Sequence, residues 1–326
     1  YTPPSGYLAL CTKNLPEPAV IPSEHFNTVL WTGNDTARTI SGVGFQPDFT
    51  WIRNREIVTH HLLFDAVRGV KNALRSNAAN AESTNASDEL LTFASDGFTL
   101  GTGEDVNGNA EGIVAWNWKA GTAFTNDASS TSVGSADSAG RVNVAAGFSI
   151  IGYTGSDGPD TIAHGLSKAP EMLIVKSRSS AQEWLVYHGF NTSAPETDYL
   201  RLDTNAATAD NTFWNDTLPT ATVFSVGDSR PSNSGHGDNY IAYCFHSVDG
   251  YSKVGSYEGN DDADGTFIYL GFRPAFVIVK NIDDGYNWIM SDTKREPTNV
   301  MADELYPNTS AAEYISSGAR WDFLSN

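Results

Sequence analysis

Apolar residues along the chain come in runs of four to eight, rich in Val, Ile, Phe, Tyr and Trp, with clusters of Gly, Asn, Asp and Ser between them. Runs of that length and composition predict β-strands joined by tight turns. The stretch from Leu62 to Leu74 comes nearest to a helix, but Gly69 interrupts it and its apolar spacing holds a 3.6-residue period for barely two turns. Strands and turns are therefore expected nearly throughout, with helix limited to isolated turns.

The pattern repeats. Segments starting at Phe26, Phe148 and Tyr251 share an aromatic start, a second aromatic (Trp31, Tyr153, Tyr257) and a Gly-polar turn. Each continues in step through Gly44–Pro47–Arg53, Gly165–Pro170–Lys176 and Gly271–Pro274–Lys280, with the basic residue six positions after the proline. His61, Trp184 and Trp288 stand fourteen positions after that proline. Then come Leu74 with Asn77, Leu202 with Asn205, and Leu305 with Asn308. The first two segments finish alike, at Phe98 and Trp116 and at Phe224 and Tyr243.

A period of about a hundred residues is domain-sized, since solenoid and propeller units run to roughly 20–50 residues. The expected fold is all-β: three tandem lectin-like sandwiches of jelly-roll type. Their bounds are a Pro-rich strap at 1–22, repeat 1 at 23–144, repeat 2 at 145–249 and repeat 3 at 250–326. Gly121 to Gly140, poor in large apolar residues, reads as a linker or long surface loop. The junction at 246–250 is much shorter, so repeats 2 and 3 are expected to be the more fixed pair. The third repeat stops before any counterpart of Gly97–Gly101 or Ile113–Trp118. Completion by unseen downstream residues or by a neighbouring chain's strand is expected.

Charge narrows the partners. The chain has 20 Lys and Arg against 39 Asp and Glu, a net charge of −19. Scattered cations among so many carboxylates exclude phosphate tracking on nucleic acid or anionic lipid. No apolar run is long enough to insert in a membrane. The opening Tyr-Thr-Pro-Pro-Ser-Gly lacks an initiator Met and a leader pattern, so a processed product or part of a longer chain is expected. Cys11 and Cys244 form no metal-binding pair and are read as free thiols.

Catalytic motifs are absent. A retaining glycosidase needs two carboxyls about 5–5.5 Å apart, and no strand carries such a ladder. His60 and His61 are strand neighbours that point to opposite faces, which disfavours zinc. The expectation is a protein that is not an enzyme and holds no metal, with a secreted polysaccharide-degrading enzyme as the less favoured alternative. Two loops have calcium-like spacing. Asn260, Asp262 and Asp264 open like an EF-hand but lack the closing Glu, while Asp105, Asn107, Asn109 and Glu111 offer alternating oxygens for a weak Ca²⁺. Arg53, Lys176 and Lys280 are expected to snorkel to water from strand ends rather than to line a ligand site. Trp116, Trp118, Trp184 and Trp288 are read as core. Trp214 and Tyr286 lie in Asn- and Asp-rich stretches outside the repeat, as an exposed sugar-stacking aromatic would, and are the candidate ligand contacts.

Several longer motifs carry a family resemblance: Leu63-Phe-Asp-Ala-Val-Arg-Gly69, Ser95-Asp-Gly-Phe-Thr-Leu-Gly101, Val114-Ala-Trp-Asn-Trp-Lys-Ala-Gly121 and Tyr240-Ile-Ala-Tyr-Cys-Phe245. The chain resembles the repeated modules of tail-fibre-like structural proteins of tailed phages, especially marine ones. There they follow a SPRY-type, concanavalin A-like domain, and Pro3 to Pro16 is similar to the joining segment. The resemblance implies a virion-surface or extracellular structural protein, with other virion and tail proteins and host-surface glycans as partners and a homo-oligomer as its state. A purely architectural decoration or fibre-shaft role is the alternative. No site residue carries over.

Overall fold

The structure, a computed structural model, describes residues 20–84, 86–233, 237–262, 264–315, 318 and 320–324. The strap expected over residues 1–22 lies outside them as far as residue 19, and so does Cys11. Helix in the described chain is confined to short turns, including α1 (Glu104–Asn107) and α2 (Ala128–Thr131).

The first segment contains β1 (Phe26–Thr32), β2 (Arg38–Ser41), β3 (Phe49–Asn54), β4 (Leu62–Asp65), β5 (Leu74–Arg75), β6 (Leu90–Ala94), β7 (Gly97–Leu100) and β8 (Gly112–Trp118). They form a five-stranded sheet in the order β1-β8-β3-β4-β5 and a three-stranded sheet β2-β7-β6. Val29, Ile52, Leu62 and Phe64 of one sheet meet Ile40, Phe98 and Leu100 of the other, making the core of a sandwich.

The next strands are β9 (Thr122–Asn126), β10 (Ser138–Asn143), β11 (Phe148–Thr154), β12 (Asp160–Ala163), β13 (Met172–Ser177), β14 (Leu185–His188), β15 (Asp198–Arg201), β16 (Ala209–Asp210), β17 (Val223–Val226) and β18 (Asn239–Phe245). The run β11-β18-β13-β14-β15 repeats the order of the first sheet, and β12-β17 repeats β2-β7. Register agrees as well: Phe49 opposes Trp118 and Asp65, while Met172 opposes Phe245 and His188. The pairing of Leu63 with Leu74 and of Val186 with Leu200 makes Leu200, not Leu202, the counterpart of Leu74. The expected alignment slips by two residues there, because its Asn-Ala-Ala landmark lies in a loop.

Gly121 to Gly140 is not a loose linker. β9 and β10 form a hairpin whose second strand pairs with β11 from Ser138↔Tyr153 to Asn143↔Phe148. Small residues serve this strand: a Cβ on Gly140 would lie 1.8 Å from the Ile150 carbonyl oxygen. β9 and β10 thus extend the sheet that holds β11.

The third segment contributes β19 (Phe276–Val279), β20 (Ile289–Asp292), β21 (Asp303–Glu304) and β22 (Tyr314–Ile315). β19 pairs with β20, with Phe276 opposite Asp292, and Met290 bridges to Leu305. Those are the relations of β3, β4 and β5.

Alternation along the strands feeds two cores at once. In β13, β14 and β18, Leu173, Val175, Leu185, Tyr240 and Ala242 enter the second sandwich's own core. Their neighbours Ile174, Val186, Ile241 and Tyr243 enter a central core shared with Phe49, Trp51, Trp116 and Met290. Strands buried on both faces read as continuous apolar runs, and β3 is buried at every position.

Candidate functional site

The central core is where the three segments meet, and their contacts run in a cycle. Trp184 Nε1 donates to the Arg75 carbonyl at 2.8 Å, carrying the second segment onto the first. Trp288 Nε1 donates to the Arg201 carbonyl at 2.8 Å, carrying the third onto the second. His61 holds the equivalent place in the first segment and its ring faces the Tyr306 backbone of the third. Backbone bonds close the same circuit: Glu82 N to Arg178 O at 2.9 Å, Thr208 N to Ile282 O at 2.9 Å and Glu313 N to Arg55 O at 2.7 Å.

Two of the three joints carry a buried charge clamp. At the first, Asp65 Oδ2 accepts from Arg68 Nε and from Tyr243 OH, the latter at 2.7 Å, while Glu82 pairs with Arg68 at 2.9 Å and Arg178 at 2.8 Å. At the second, Asp292 Oδ2 accepts from Arg295 Nε and from Trp116 Nε1, the latter at 3.0 Å, while Glu313 pairs with Arg295 and Arg55. Burial works against the charge of Arg68, but Asp65, Tyr243 and Glu82 outweigh it and hold the guanidinium protonated. Asp292 and Glu313 do the same for Arg295. At the third joint the corresponding positions are His188, Asn191 and Thr208, and Thr208 Oγ1 donates to Asn191 Oδ1 at 2.8 Å.

The aligned cations are part of this assembly. Arg53 and Lys176 are 0% exposed, so they do not snorkel to water. Arg53 donates to the Ser310 carbonyl at 2.9 Å, and Lys176 Nζ to that of Ala79 at 3.2 Å, each reaching into the next segment. Burial lowers their pKa values, Arg53 to about 10 and Lys176 to about 8. Only Lys280 stays at a partly open strand end, donating to the carbonyls of Asn281 and Asp284. Of the Trp residues read as core, Trp116, Trp184 and Trp288 are buried but fill the shared centre rather than any one sandwich, and Trp118 is half-buried against it.

Trp214 and Tyr286 are not brought together. Trp214 is 1% exposed, inside the second sandwich's core, with Nε1 donating to the Asp198 carbonyl at 3.0 Å. The expectation of a sugar-stacking face there is corrected: the polar residues beside it sit on a turn whose aromatic points inward. Tyr286 is 64% exposed, in the loop between β19 and β20. That loop is pinned: Asn281 Oδ1 accepts from the N–H groups of Asp283 and Asp284, and Asn205 Nδ2 donates to Gly285 O.

The calcium-like oxygens are largely engaged. Asn107 Oδ1 accepts from Asn34 N, Asp105 Oδ1 from His60 N and Glu111 Oε2 from Asn54 Nδ2. Asn109 is exposed. Asn260, Asp262 and Asp264 form consecutive turns, each N–H or amide bonded within the loop. Among the described residues no three His, Cys, Asp or Glu side chains cluster as a metal site. Cys244 is a buried free thiol whose pKa burial pushes up to about 12.

A cleft of about 1130 Å³ opens on the central core beside β19, lined by Phe49, Trp118, Phe148, Tyr243, Phe276 and Ile278 among others. Sequence reasoning missed both the clamps and the cleft. The signal for the clamps was present in the Asp-x-x-Arg spacing of Asp65/Arg68 and Asp292/Arg295. No curated protein matches the chain in sequence. One family matches it from residue 21 to residue 326, across all three segments, and by that extent the chain belongs to the DUF7483 family, a domain of unknown function.

Proposed function

We propose that the protein is a non-enzymatic structural protein of an exposed appendage, such as a phage tail fibre, that contacts host-surface glycans through its loops. The buried carboxylates Asp65, Glu82, Asp292 and Glu313 are each committed to an arginine, which supports a scaffolding use of charge rather than acid–base chemistry. The outer faces of the larger sheets in the first two segments are packed into the shared centre, which leaves recognition to the loops and the smaller sheets. The observation that carries the reading is Tyr286, a ring exposed to solvent on a loop whose backbone is already fixed by hydrogen bonds. A rigid amphipathic ring loses little entropy on binding, and Asn287 and Asp283 stand near it in sequence to bond hydroxyls.

A glycan array probed with the protein and with Tyr286→Ala is the test. Binding that falls at least tenfold in the variant, with the thermal midpoint unchanged, supports the proposal. An array silent for the unaltered protein overturns the adhesive part and leaves an architectural one. Reducing-sugar release from any polysaccharide, abolished by a single Asp or Glu substitution, overturns the non-enzymatic part.

A further inference from the structure

Each of the first two segments places a middle strand between its opening strand and the strand equivalent to β19. The order is β1-β8-β3 in the first and β11-β18-β13 in the second. In the third segment the outer two are present without the middle one. β19 pairs with β20, and among the described residues no strand takes its other edge. Residues 251–257, which open the third segment as Phe26 and Phe148 open theirs, lie in no strand. Both border the cleft, through Tyr251, Val254 and Tyr257 and through Phe276 and Ile278. Pro22 and Phe26 line it too, and the ring centroids of Phe26 and Phe276 are 5.7 Å apart.

We infer that residues 7–12 of the same chain fill this cleft as the missing middle strand, antiparallel to β19, so that the N-terminal segment closes the third sandwich. These residues lie outside the described ones, and their sequence makes the match. Tyr7-Leu-Ala-Leu-Cys-Thr12 repeats Tyr240-Ile-Ala-Tyr-Cys-Phe245 of β18 with identity at three alternate positions. Those three, Tyr240, Ala242 and Cys244, are the ones that β18 turns into its own sandwich core, while Ile241 and Tyr243 turn to the shared centre. Tyr7, Ala9 and Cys11 therefore suit the inner face of the third sandwich, and Leu8 and Leu10 the shared centre. Pro3, Pro4, Pro16 and Pro18 flank the stretch and none interrupts it.

Register selects this segment over a second copy's β8 or β18. Trp118 and Phe245 oppose Phe49 and Met172, which places Thr12 opposite Phe276 and Leu10 opposite Ile278. At the place of Leu10 the sister strands carry Trp116 and Tyr243, and each donates to a carboxylate of the adjoining segment, Asp292 or Asp65. The third joint has His188 where those aspartates stand, with Nδ1 accepting from Phe190 N at 3.2 Å. Burial lowers the pKa of His188 and keeps the ring neutral. A buried carboxylate demands a donor from the strand and a neutral imidazole does not, so the joint without an aspartate is matched by the strand without a donor. Reach keeps the strand in its own chain. Nine residues separate Thr12 from Pro22 on the cleft wall, and nine extended residues span up to roughly 30 Å.

The test is a cross-link in the full chain. This register sets Cys11 opposite Val277, and opposed residues of antiparallel strands have Cα atoms about 4.5–5.5 Å apart, a span that a disulfide bridges. Val277→Cys should form a disulfide with Cys11 within one chain under mild oxidation, and adding Cys11→Ser should abolish it. Ile278→Cys points to the other face and should form none. Amide exchange at residues 276–279 should be at least about tenfold slower in the unaltered chain than in one carrying Leu8→Asp and Leu10→Asp, with β3 and β13 equally protected in both. If that double substitution unfolds the whole chain, the cross-link alone decides. A Val277→Cys disulfide that joins two chains overturns the inference and gives the cleft to a second copy. Cross-linking that does not distinguish position 277 from 278 overturns it as well, and so does equal exchange at 276–279 in two folded chains.

Discussion

Replacing Asp65 with Asn exchanges a carboxylate for an amide of nearly the same shape, which isolates the charge clamp from packing. Asp65 Oδ1 accepts from the N–H groups of Val67 and Arg68 at 3.0 and 2.8 Å, and an Asn oxygen can keep both bonds. The other oxygen, which accepts from Arg68 Nε and Tyr243 OH, becomes an NH₂ facing two donors. A lost hydrogen bond to a charged group costs about 1.5–3 kcal/mol, and a neutral one about 0.5–1.5 kcal/mol. Arg68, with no exposed side-chain surface, keeps Glu82 as its remaining counter-ion. The sum is about 2–4.5 kcal/mol, a large share of a typical domain's 5–15 kcal/mol. Asp292→Asn meets the same geometry at the second joint, with Trp116 in the role of Tyr243, and should cost the same within about 1 kcal/mol. His188→Ala, at the joint without a clamp, should cost less than about 1 kcal/mol. The pair Asp65→Leu with Arg68→Met should cost more than Asp65→Asn alone, because Leu leaves Val67 N–H, Arg68 N–H and Tyr243 OH without the acceptor that Asp65 provides. Urea unfolding followed by tryptophan fluorescence and by calorimetry measures all four. A cost below about 1 kcal/mol for Asp65→Asn, or one no greater than that of His188→Ala, would refute the argument that the clamps hold the segments together.

Trp214→Ala should lower stability by about 3–5 kcal/mol, as a core truncation does, and a urea midpoint near that of the unaltered protein would contradict its burial. Glu89, whose pKa burial raises to about 7 from 4.5, binds its proton more tightly when folded, so stability falls as pH rises across that window. Glu89→Gln should therefore be about 1–3 kcal/mol more stable than the parent above pH 7 and lose that advantage in acid, as thermal midpoints across pH will show. His164 has the opposite sign: burial lowers its pKa to about 4 from 6.5, so its contribution is whole above 6.5 and lost as pH falls toward 4. His164→Gln should flatten that acid slope by up to about 3 kcal/mol, and a slope unchanged in the variant would assign it elsewhere. Gly140→Ala should cost about 1–3 kcal/mol or more and raise amide exchange in β9 and β10 selectively, because its Cβ meets the Ile150 carbonyl.

Strand identity and the aromatic, glycine and proline landmarks of each segment are local properties, and the sequence alone determines them. An apolar run such as Phe148 to Tyr153 has both faces to bury wherever it lies, and Gly97 or Gly121 suits a backbone with positive φ in any surroundings. The repeated offsets further determine that β3 and β13 occupy like environments. Tertiary structure alone decides which partner each face meets. Trp116 and Trp184 are legible as buried, but the identity of their hydrogen-bond acceptors, Asp292 and the Arg75 carbonyl, depends on residues over a hundred positions away. Arg53 and Lys176 look like strand-end cations until neighbouring segments bring carbonyl groups to their heads and exclude water. Trp214 looks exposed because its neighbours are polar, yet a short turn can present polar residues to solvent and one ring to the core. The polar stretch after Gly121 becomes a hairpin because β11 offers it an edge, an energy available only after the sheet has formed. Local composition sets what a residue can do, and long-range pairing, with the desolvation it imposes, decides which of those possibilities is used.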